Sequence, residues 1–463
     1  MTIRELSNGA SVHIVDDADV GPEAVAMLQA LYSRSADSVE KHLKEVRAKG
    51  SAKFMQSFYV GYNHKSIADC GSTTLFFEGV SLLAAKAIQD WPLYSGQETS
   101  TRYLNMADRP IIDPVDTGAS NRHLQHWMDF YRRAVAAVPD EVRRRYPRRE
   151  SDPENKYEAA VKARTFDVCR GFLPAGITTQ LSWHSNLRQL HDHLATLRRH
   201  PLTEVRDLAK AAMEVLAETY PSSGFDGTAG AGVSGVTDGQ VARDEWLEKV
   251  AADYTYDVFG QTNCLETNSH GRLHLESNYH HLTLDRYAEI LKTRPRGAVL
   301  PHFITNAGQF RLQFDLDFGS FRDLQRHRNG VCRMPILDGQ HGFERWYLDE
   351  LPDSLREEAA SLVNAQRREM DGGSIANDLA LVQYYRPLGD RVHCDVTYGL
   401  PALLYVLELR SQKTVHPTLR RRILEAADRL RDAVPPYVTM HIDRDPDDWN
   451  LRRGQQDIRR VEA

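Results

Sequence analysis

The chain has little cysteine: five residues in 463, at positions 70, 169, 264, 332 and 394. They are odd in number and far apart, and no CxxC pair occurs, so neither a disulfide framework nor a thiolate zinc site is indicated. A reduced, cytoplasmic compartment is the reading that follows. There is no excess of positive charge either. Lys and Arg number 58 against 64 Asp and Glu, a net charge of -6, which argues against a general nucleic-acid binder. No apolar run reaches the length of about eighteen residues that a transmembrane helix needs. The start, MTIRELSNGASVHIVDD, lacks the basic-then-apolar order of a signal peptide. There is no GxSxG, no P-loop and no Ser-His-Asp order. His274, His280, His281 and His302 match no metal spacing, and His191 and His193, two apart, are expected on different helix faces. No metal site is expected. What remains is an ordinary globular mix, 41% hydrophobic and 26% charged, in a chain long enough for two or three domains.

The clearest internal boundary is PSSGFDGTAGAGVSGVTDGQ, residues 221–240. It is rich in Gly, Ser and Thr and has no apolar periodicity, the composition of a flexible linker. It separates residues 1–220 from 241–463, and the halves look like repeats. Each has a Pro-Asp expected to open a charged helix, at Pro139-Asp140 and Pro352-Asp353. Each then reaches a Pro followed within two residues by Gly, at Pro174 and Pro387, a separation of 35 residues in both halves. Each continues through a helical run to an Arg, Arg198 or Arg410, and a His-Pro, His200-Pro201 or His416-Pro417. Helical periodicity marks 22–32, 79–90, 122–137, 186–197, 203–218, 286–292, 354–366, 400–409 and 418–433. Alternating runs mark strands at SVHIVD, STTLFFEG, GITTQLSW, FRLQFDLDF and DRVHCDVTY. The fold class expected is α+β, each half an antiparallel sheet carrying helices.

Two constellations could carry chemistry. YSGQETSTRYL holds Gln97, Glu98, Ser100, Arg102 and Tyr103. Its small residues let backbone N–H groups approach an anion, and Arg102 could clamp a phosphate, although exposed polar loops read the same way. Arg326-His327-Arg328 follows FGSFRDLQ. Read as helix, three consecutive cations point in three directions and cannot share one solvated face, which suits a polyanion; a surface basic cluster is the plainer alternative. The run EVRRRYPRRE at 141–150 reads as a solvated helix end and loop, with a phosphate-rich ligand as the other reading.

With their surroundings these residues resemble the flavin-dependent thymidylate synthases. That family's signature is Arg-His-Arg, seven residues, then Ser-x-Arg-Tyr. This chain carries it in two pieces. The first half has Ser95, Gln97, Glu98, Ser100, Arg102 and Tyr103, but Asp90-Trp91-Pro92 stands where Arg-His-Arg should. The second half has Arg326-His327-Arg328, but Ile336 replaces the Ser. NHKSIADCGSTTLFFEGVS is similar to the family's His-x-Ser/Thr-x-x-Glu entry, with Asp69 for Glu. RGFLPAGITTQLSWHSNLRQLHDHLATLR is similar to its Arg-x-x-Leu-Pro, Asn-x-Arg and closing Arg. In the second half Gln383 stands for Arg170, and Gly399 and Pro401 for Asn186 and Arg188.

The resemblance implies two tandem copies of the family's unit and C5 methylation of a uridine nucleotide of the dUMP type. The carbon would come from methylenetetrahydrofolate, with FAD reduced by NADPH. It implies that Glu98, Ser100, Arg102, Tyr103 and Arg170 hold the nucleotide. Arg326, His327 and Arg328 would hold the flavin, joined by Asn186, Arg188 and Ser66. Arg198, with Arg199 behind it and Arg410 as the second-half equivalent, would stabilise charge on the pyrimidine ring. Asp192 falls where the family usually has Asn or His. Because each half keeps what the other lacks, complementation in a homodimer imitating the family's tetramer is expected. Modification of another pyrimidine nucleotide such as UMP, and decay to a non-catalytic nucleotide-binding or assembly protein, are the alternatives.

Overall fold

The structure is a computed structural model that describes residues 2–5, 11–15, 20–61, 64–226, 245–249, 272–373, 375 and 378–456. Strands β1 (Thr2–Glu5) and β2 (Ser11–Ile14) pair antiparallel, Thr2 opposite Ile14. Helix α1 (Pro22–Tyr32) starts on a proline, whose missing N–H costs nothing in the first turn. Helix α2 (Val39–Lys49) is capped by Ser38, whose hydroxyl accepts from the Glu40 amide. Leu43 and Val46 of α2 pack with Ala24, Met27 and Leu28 of α1. Then come β3 (Ser72–Ser81), α3 (Leu82–Gln89), the long α4 (Gly118–Arg145), α5 (Glu154–Cys169), β4 (Thr178–Asn186), α6 (Leu187–Leu197) and α7 (Thr203–Thr219). The second half follows with β5 (His274–Tyr279), β6 (Gly308–Asp317), α8 (Phe318–Leu324), β7 (Gly330–Cys332), α9 (Asp353–Gly372), β8 (Arg391–Gly399), α10 (Leu400–Arg410) and α11 (Pro417–Ala433). The class is α+β. No described helix is long and apolar enough to cross a membrane.

The chain divides into two compact units, and the division does not follow the Gly/Ser-rich stretch. One holds residues 1–78, 93–98 and 181–257; the other holds 79–92, 99–180 and 258–463. Of the expected linker 221–240, residues 221–226 form turns in which the Ser222 amide and the Ser223 hydroxyl bond Glu23. Residues 227–240 lie outside the described residues.

In the second unit β5, β6, β8 and β7 form a sheet in that order, with every pair antiparallel. β6 and β8 run the full length of each other, from Gln309 opposite Gly399 to Asp317 opposite Arg391. Alternation explains this register: Phe310, Leu312, Phe314 and Leu316 of β6 and Val392, Cys394, Val396 and Tyr398 of β8 are buried.

The two Pro-x-Gly turns meet. Pro174 and Pro387 bridge antiparallel. The Ala175 amide donates to the Arg386 carbonyl and the Leu388 amide to the Leu173 carbonyl; Gly176 donates to Tyr384 and Gly389 to Gly171. Adding 213 to a first-half donor or acceptor gives the second-half donor or acceptor of the matching bond, so the bonds are reciprocal, the pattern of a local twofold axis. The strand-to-helix junctions correspond too. Ser81 caps α3 by accepting from the Ala84 amide at 2.9 Å, and Asp317 caps α8 by accepting from the Ser320 amide at 2.8 Å. Leu82 and Leu83 donate to Ile177 and Ala175, as Phe318 and Gly319 donate to Asp390 and Leu388.

One landmark differs from its expected role. Pro352 does precede α9, but Pro139 lies inside α4 and opens nothing. The buried stripe of α4 continues past it through Val138, Glu141 and Val142, and that packing outweighs the backbone hydrogen bond a proline cannot make.

Candidate functional site

The second unit brings Arg102 and Arg170 of the first half of the chain and Arg326 and Arg410 of the second around Asp323. This carboxylate sits in the last turn of α8, largely buried. Its Oδ2 lies 3.5 Å from Nη1 of Arg170 and 3.9 Å from Nη1 of Arg102. Burial alone would raise its pKa; Arg102, Arg170, Arg326 and Arg410 outweigh that and hold it well below the usual carboxylate range. Arg-His-Arg stands just past the end of α8 rather than within a helix. The expectation of three helical directions is therefore corrected: turn geometry, not a helix, separates these side chains. Arg326 is exposed, Arg328 half-buried and His327 buried. Arg410, the last residue of α10, donates from Nε to His327 Nε2 at 2.7 Å and from Nη2 to the Asp323 carbonyl at 2.8 Å. The ring nitrogen that accepts must be unprotonated. Burial and the Arg410 charge depress the His327 pKa to about 3, so the imidazole is neutral.

Arg102 is held from the other side. Its Nε and Nη2 donate to the two oxygens of Asp167 at 2.7 and 3.0 Å, and Nη2 also reaches the Thr414 carbonyl at 3.2 Å. Arg453 binds Asp167 as well, at 3.1 Å, and its guanidinium lies 4.4 Å from the centre of the Tyr103 ring. Burial would raise the Asp167 pKa, but Arg102 and Arg453 together hold it well below its ordinary value. Ser100 accepts from the Arg102 amide at 3.2 Å, which shapes the loop. Arg170 opens a short 3₁₀ turn, 170–172, and is fully buried. It donates to Ser320 Oγ at 2.8 Å and lies 3.4 Å from Tyr347 Oη. Tyr347 in turn donates to Asp317, and His416 reaches the Asp167 carbonyl through Nε2.

The remaining expected residues belong to the first unit. Glu98 is half-buried and bridges Leu181. Asn186 caps α6, its side-chain oxygen taken by the Gln189 amide at 2.8 Å. Arg188 donates to Asp69 at 2.6 Å and lies 3.5 Å from Asp192, so the altered residue at 192 meets a cation rather than standing open. Ser66 is exposed. Arg198 is the exposed C-cap of α6, with Nη1 3.7 Å from Met213 Sδ, and Arg199 donates to the Ala195 carbonyl at 2.9 Å. Positions held to be equivalent do correspond locally: Gln383 opens a 3₁₀ turn as Arg170 does, and Gly399 precedes α10 as Asn186 precedes α6.

Three functional candidates are not evident from composition: Asp167, Asp323 and Arg453. A signal for two of them exists, since Asp167-x-x-Arg170 and Asp323-x-x-Arg326 place an acid one turn before a cation at a helix end, where the helix dipole alone disfavours it. Such an acid needs a partner, and each has several. The whole group holds Arg102, Arg170, Arg410 and Arg453 against Asp167, Asp323 and Asp317, and burial raises the Asp317 pKa. With Arg326 at the rim, cations are in surplus. This can attract an anion at the rim, while the interior charges are already matched to one another. Among the described residues no group of three or more His, Cys, Asp or Glu is placed to hold a metal.

Residues 14–222 match the thymidylate synthase complementing protein family. The match includes Ser66, Glu98, Ser100, Arg102, Tyr103, Arg170, Asn186, Arg188, Arg198 and Arg199, and ends before Arg326 and Arg410. Relatives align over nearly the whole chain. A UPF0159 protein of Chlamydia pneumoniae is 25% identical over 90% of this chain and 85% of its own length. Another from Chlamydia muridarum is 23% identical over 98% and 93%. A third from Thermoplasma acidophilum is 23% identical over 94% and 97%. The double length is thus shared with these relatives.

Proposed function

We propose that this protein is a duplicated, flavin-dependent enzyme that methylates C5 of a uridine nucleotide of the dUMP type, using a site to which both halves contribute. The observation that carries the reading is the meeting of Arg102 and Arg170 from the first half with Arg326, His327 and Arg410 from the second around one carboxylate, Asp323. The family match of residues 14–222 supports the chemistry.

The donor set at the rim fits FAD in one respect. Arg326 is an exposed guanidinium backed by surplus positive charge, suited to the diphosphate of a dinucleotide. When bound, the flavin would supply the hydride that turns a methylene from methylenetetrahydrofolate into methyl, and NADPH would restore it. The protein's part is charge and orientation. Arg326 and Arg328 would hold the diphosphate; the resemblance also proposes Asn186, Arg188 and Ser66 as flavin ligands. His327, neutral, positions the loop by accepting from Arg410. Ser100 and Tyr103 would hold the sugar and phosphate beside Arg102 and Arg170, and the resemblance also proposes Glu98 for the sugar. Arg198, exposed and free of any carboxylate within ion-pair distance among the described residues, would stabilise negative charge on the pyrimidine ring, with Arg199 behind it. Arg410 is committed to His327 and acts through it.

A second reading has its own observation. Arg102 gives its Nε–Nη2 edge to buried Asp167, and Arg170 donates to Ser320. If these pairs persist with ligand present, the cluster is structural and the protein a nucleotide-binding or assembly protein. The deciding experiment is the purified chain's visible spectrum, followed by methyl transfer to dUMP, and to UMP, in the presence of methylenetetrahydrofolate and NADPH. Bound flavin lost in the Arg326→Ala/Arg328→Ala variant supports the enzyme. A colourless protein that takes up no added FAD supports the second reading.

A further inference from the structure

We propose that a second, separate anion site lies in the groove between the loop after α4 and the C-terminal segment, and that it takes the phosphate chain of a nucleoside polyphosphate. The groove, of about 1210 Å³, lies within the second unit. It is lined by Arg148, Arg149, Lys156, Arg296 and Arg452, all exposed. None of these five side chains has a carboxylate within ion-pair distance among the described residues; Arg148 reaches only the Asp152 carbonyl, at 3.3 Å. The acids along the groove are tied to the backbone of their own loops rather than to these five side chains. Asp152 accepts from the Arg149 amide at 3.2 Å, Asp443 from the Asp445 amide at 3.2 Å, and Asp447 from the Trp449 amide at 2.9 Å. Asp447 also lies 3.8 Å from Lys413.

The lining holds seven cations, Arg145, Lys413 and these five, against three acids, Asp152, Asp443 and Asp447, so among the described residues positive charge is in excess along the groove. A multivalent anion would offset that excess. Phosphates suit it because guanidinium groups bind their oxygens in pairs. The wall carries an aromatic surface too. The Trp449 ring stacks on Tyr146 at 4.8 Å and 6°, and both rings line the groove half-buried, so a base on the same ligand has aromatic surface to pack against. A small ligand fits better than a nucleic acid: the volume is near that of a single-ligand site, and a chain of net charge -6 repels a long polyanion beyond the groove.

Titration calorimetry of the full chain with ATP, inorganic tripolyphosphate and a single-stranded 12-nucleotide probe tests this. Tripolyphosphate and ATP should both bind, and the Arg148→Ala/Arg149→Ala variant should weaken each at least about tenfold. Lys156→Gln/Arg452→Gln should do the same, since all four side chains are exposed and their loss leaves the fold intact. Tighter binding of ATP than of tripolyphosphate assigns the site to a nucleotide; equal binding keeps the phosphate site and makes free polyphosphate its source. Absence of binding, affinities unchanged in both variants, or an oligonucleotide bound more tightly than ATP would overturn the proposal. Because these residues lie outside the Asp323 group, any flavin absorbance should be the same in wild type and variants.

Discussion

A guanidinium's worth at this site depends on what already holds it. Arg102 is 11% exposed and Asp167 4%. Removing one partner of such a pair leaves a buried charge, and Arg453 compensates only in part. Arg102→Ala should therefore destabilise the fold by about 3 kcal/mol or more, read as a lower denaturant midpoint. Arg102→Lys keeps the charge without the fork and should cost less. Loss of nucleotide binding in Arg102→Lys with unchanged stability would show that the arginine also serves a ligand. The buried histidines set a pH dependence. The pKa of His327 is depressed to about 3 by burial and Arg410, and that of His200 to about 3 by burial and His193. Their folded forms resist protonation while the unfolded chain takes up protons near pH 6.5. Stability from each is thus present above pH 6.5 and falls as pH drops toward 3, by at most about 1.4 kcal/mol per pH unit per group. His327→Gln should flatten the acid limb of thermal unfolding measured against pH. At this scale the sequence shows the cations readily, because Arg102 and Arg326-His327-Arg328 stand in recognisable strings. It hides their partners, because Asp167 and Asp323 look like ordinary surface acids until tertiary packing buries them.

The paired turns account for a feature the sequence shows as a repeated landmark, a Pro followed two residues later by Gly in each half. A Cβ on Gly176 would stand 2.7 Å from the Ile112 carbonyl oxygen and 3.0 Å from that of Tyr384. One on Gly389 would stand 2.4 Å from the Phe343 ring and 2.7 Å from the Gly171 carbonyl oxygen. The glycines are there for close approach of one backbone to the other. Gly176→Ala and Gly389→Ala should each destabilise by about 1–3 kcal/mol, and calorimetry should find the larger effect at Gly389, where a ring must move. Ser81→Ala removes a buried helix cap and should cost about 1 kcal/mol. β3, β4, β6 and β8 are legible from alternation, and α10 and α11 from helical spacing. α5 is not, because Ala159, Ala160, Val161, Ala163, Phe166 and Val168 are buried around most of its circumference, which erases the periodic signal. β7, three residues long, and β5, mostly exposed, give too little pattern to read.

For the whole molecule, the expected assembly is a homodimer whose four half-chains stand in for a tetramer. Light scattering should report twice the chain's mass, and a monomer under active conditions would remove the basis for sites shared between chains. The correspondence of the two Pro-x-Gly turns is legible because Pro174 and Pro387 stand at matching places in the two halves. The composition of the compact units is not. It depends on contacts such as Arg102 with Arg453, which join residues 351 apart and leave no local trace.

That last contact bears on how the protein is made. The segment 99–180 leaves the ribosome long before the residues that complete its unit. At about 5–20 residues per second, Arg102 waits roughly 18–70 s for Arg453. For roughly 10–40 s of it the amides of Ala175 and Gly176 lack their acceptors and the Leu173 carbonyl lacks its donor, and Asp167 has Arg102 alone throughout. An unpaired edge of this kind invites pairing with the same edge of a neighbouring nascent chain. The reciprocal geometry makes the hazard specific: a turn built to meet its counterpart in the other half fits the same turn of another chain nearly as well. Synthesis of this protein should therefore be sensitive to translation speed and to chaperone supply in a way that its finished stability would not suggest.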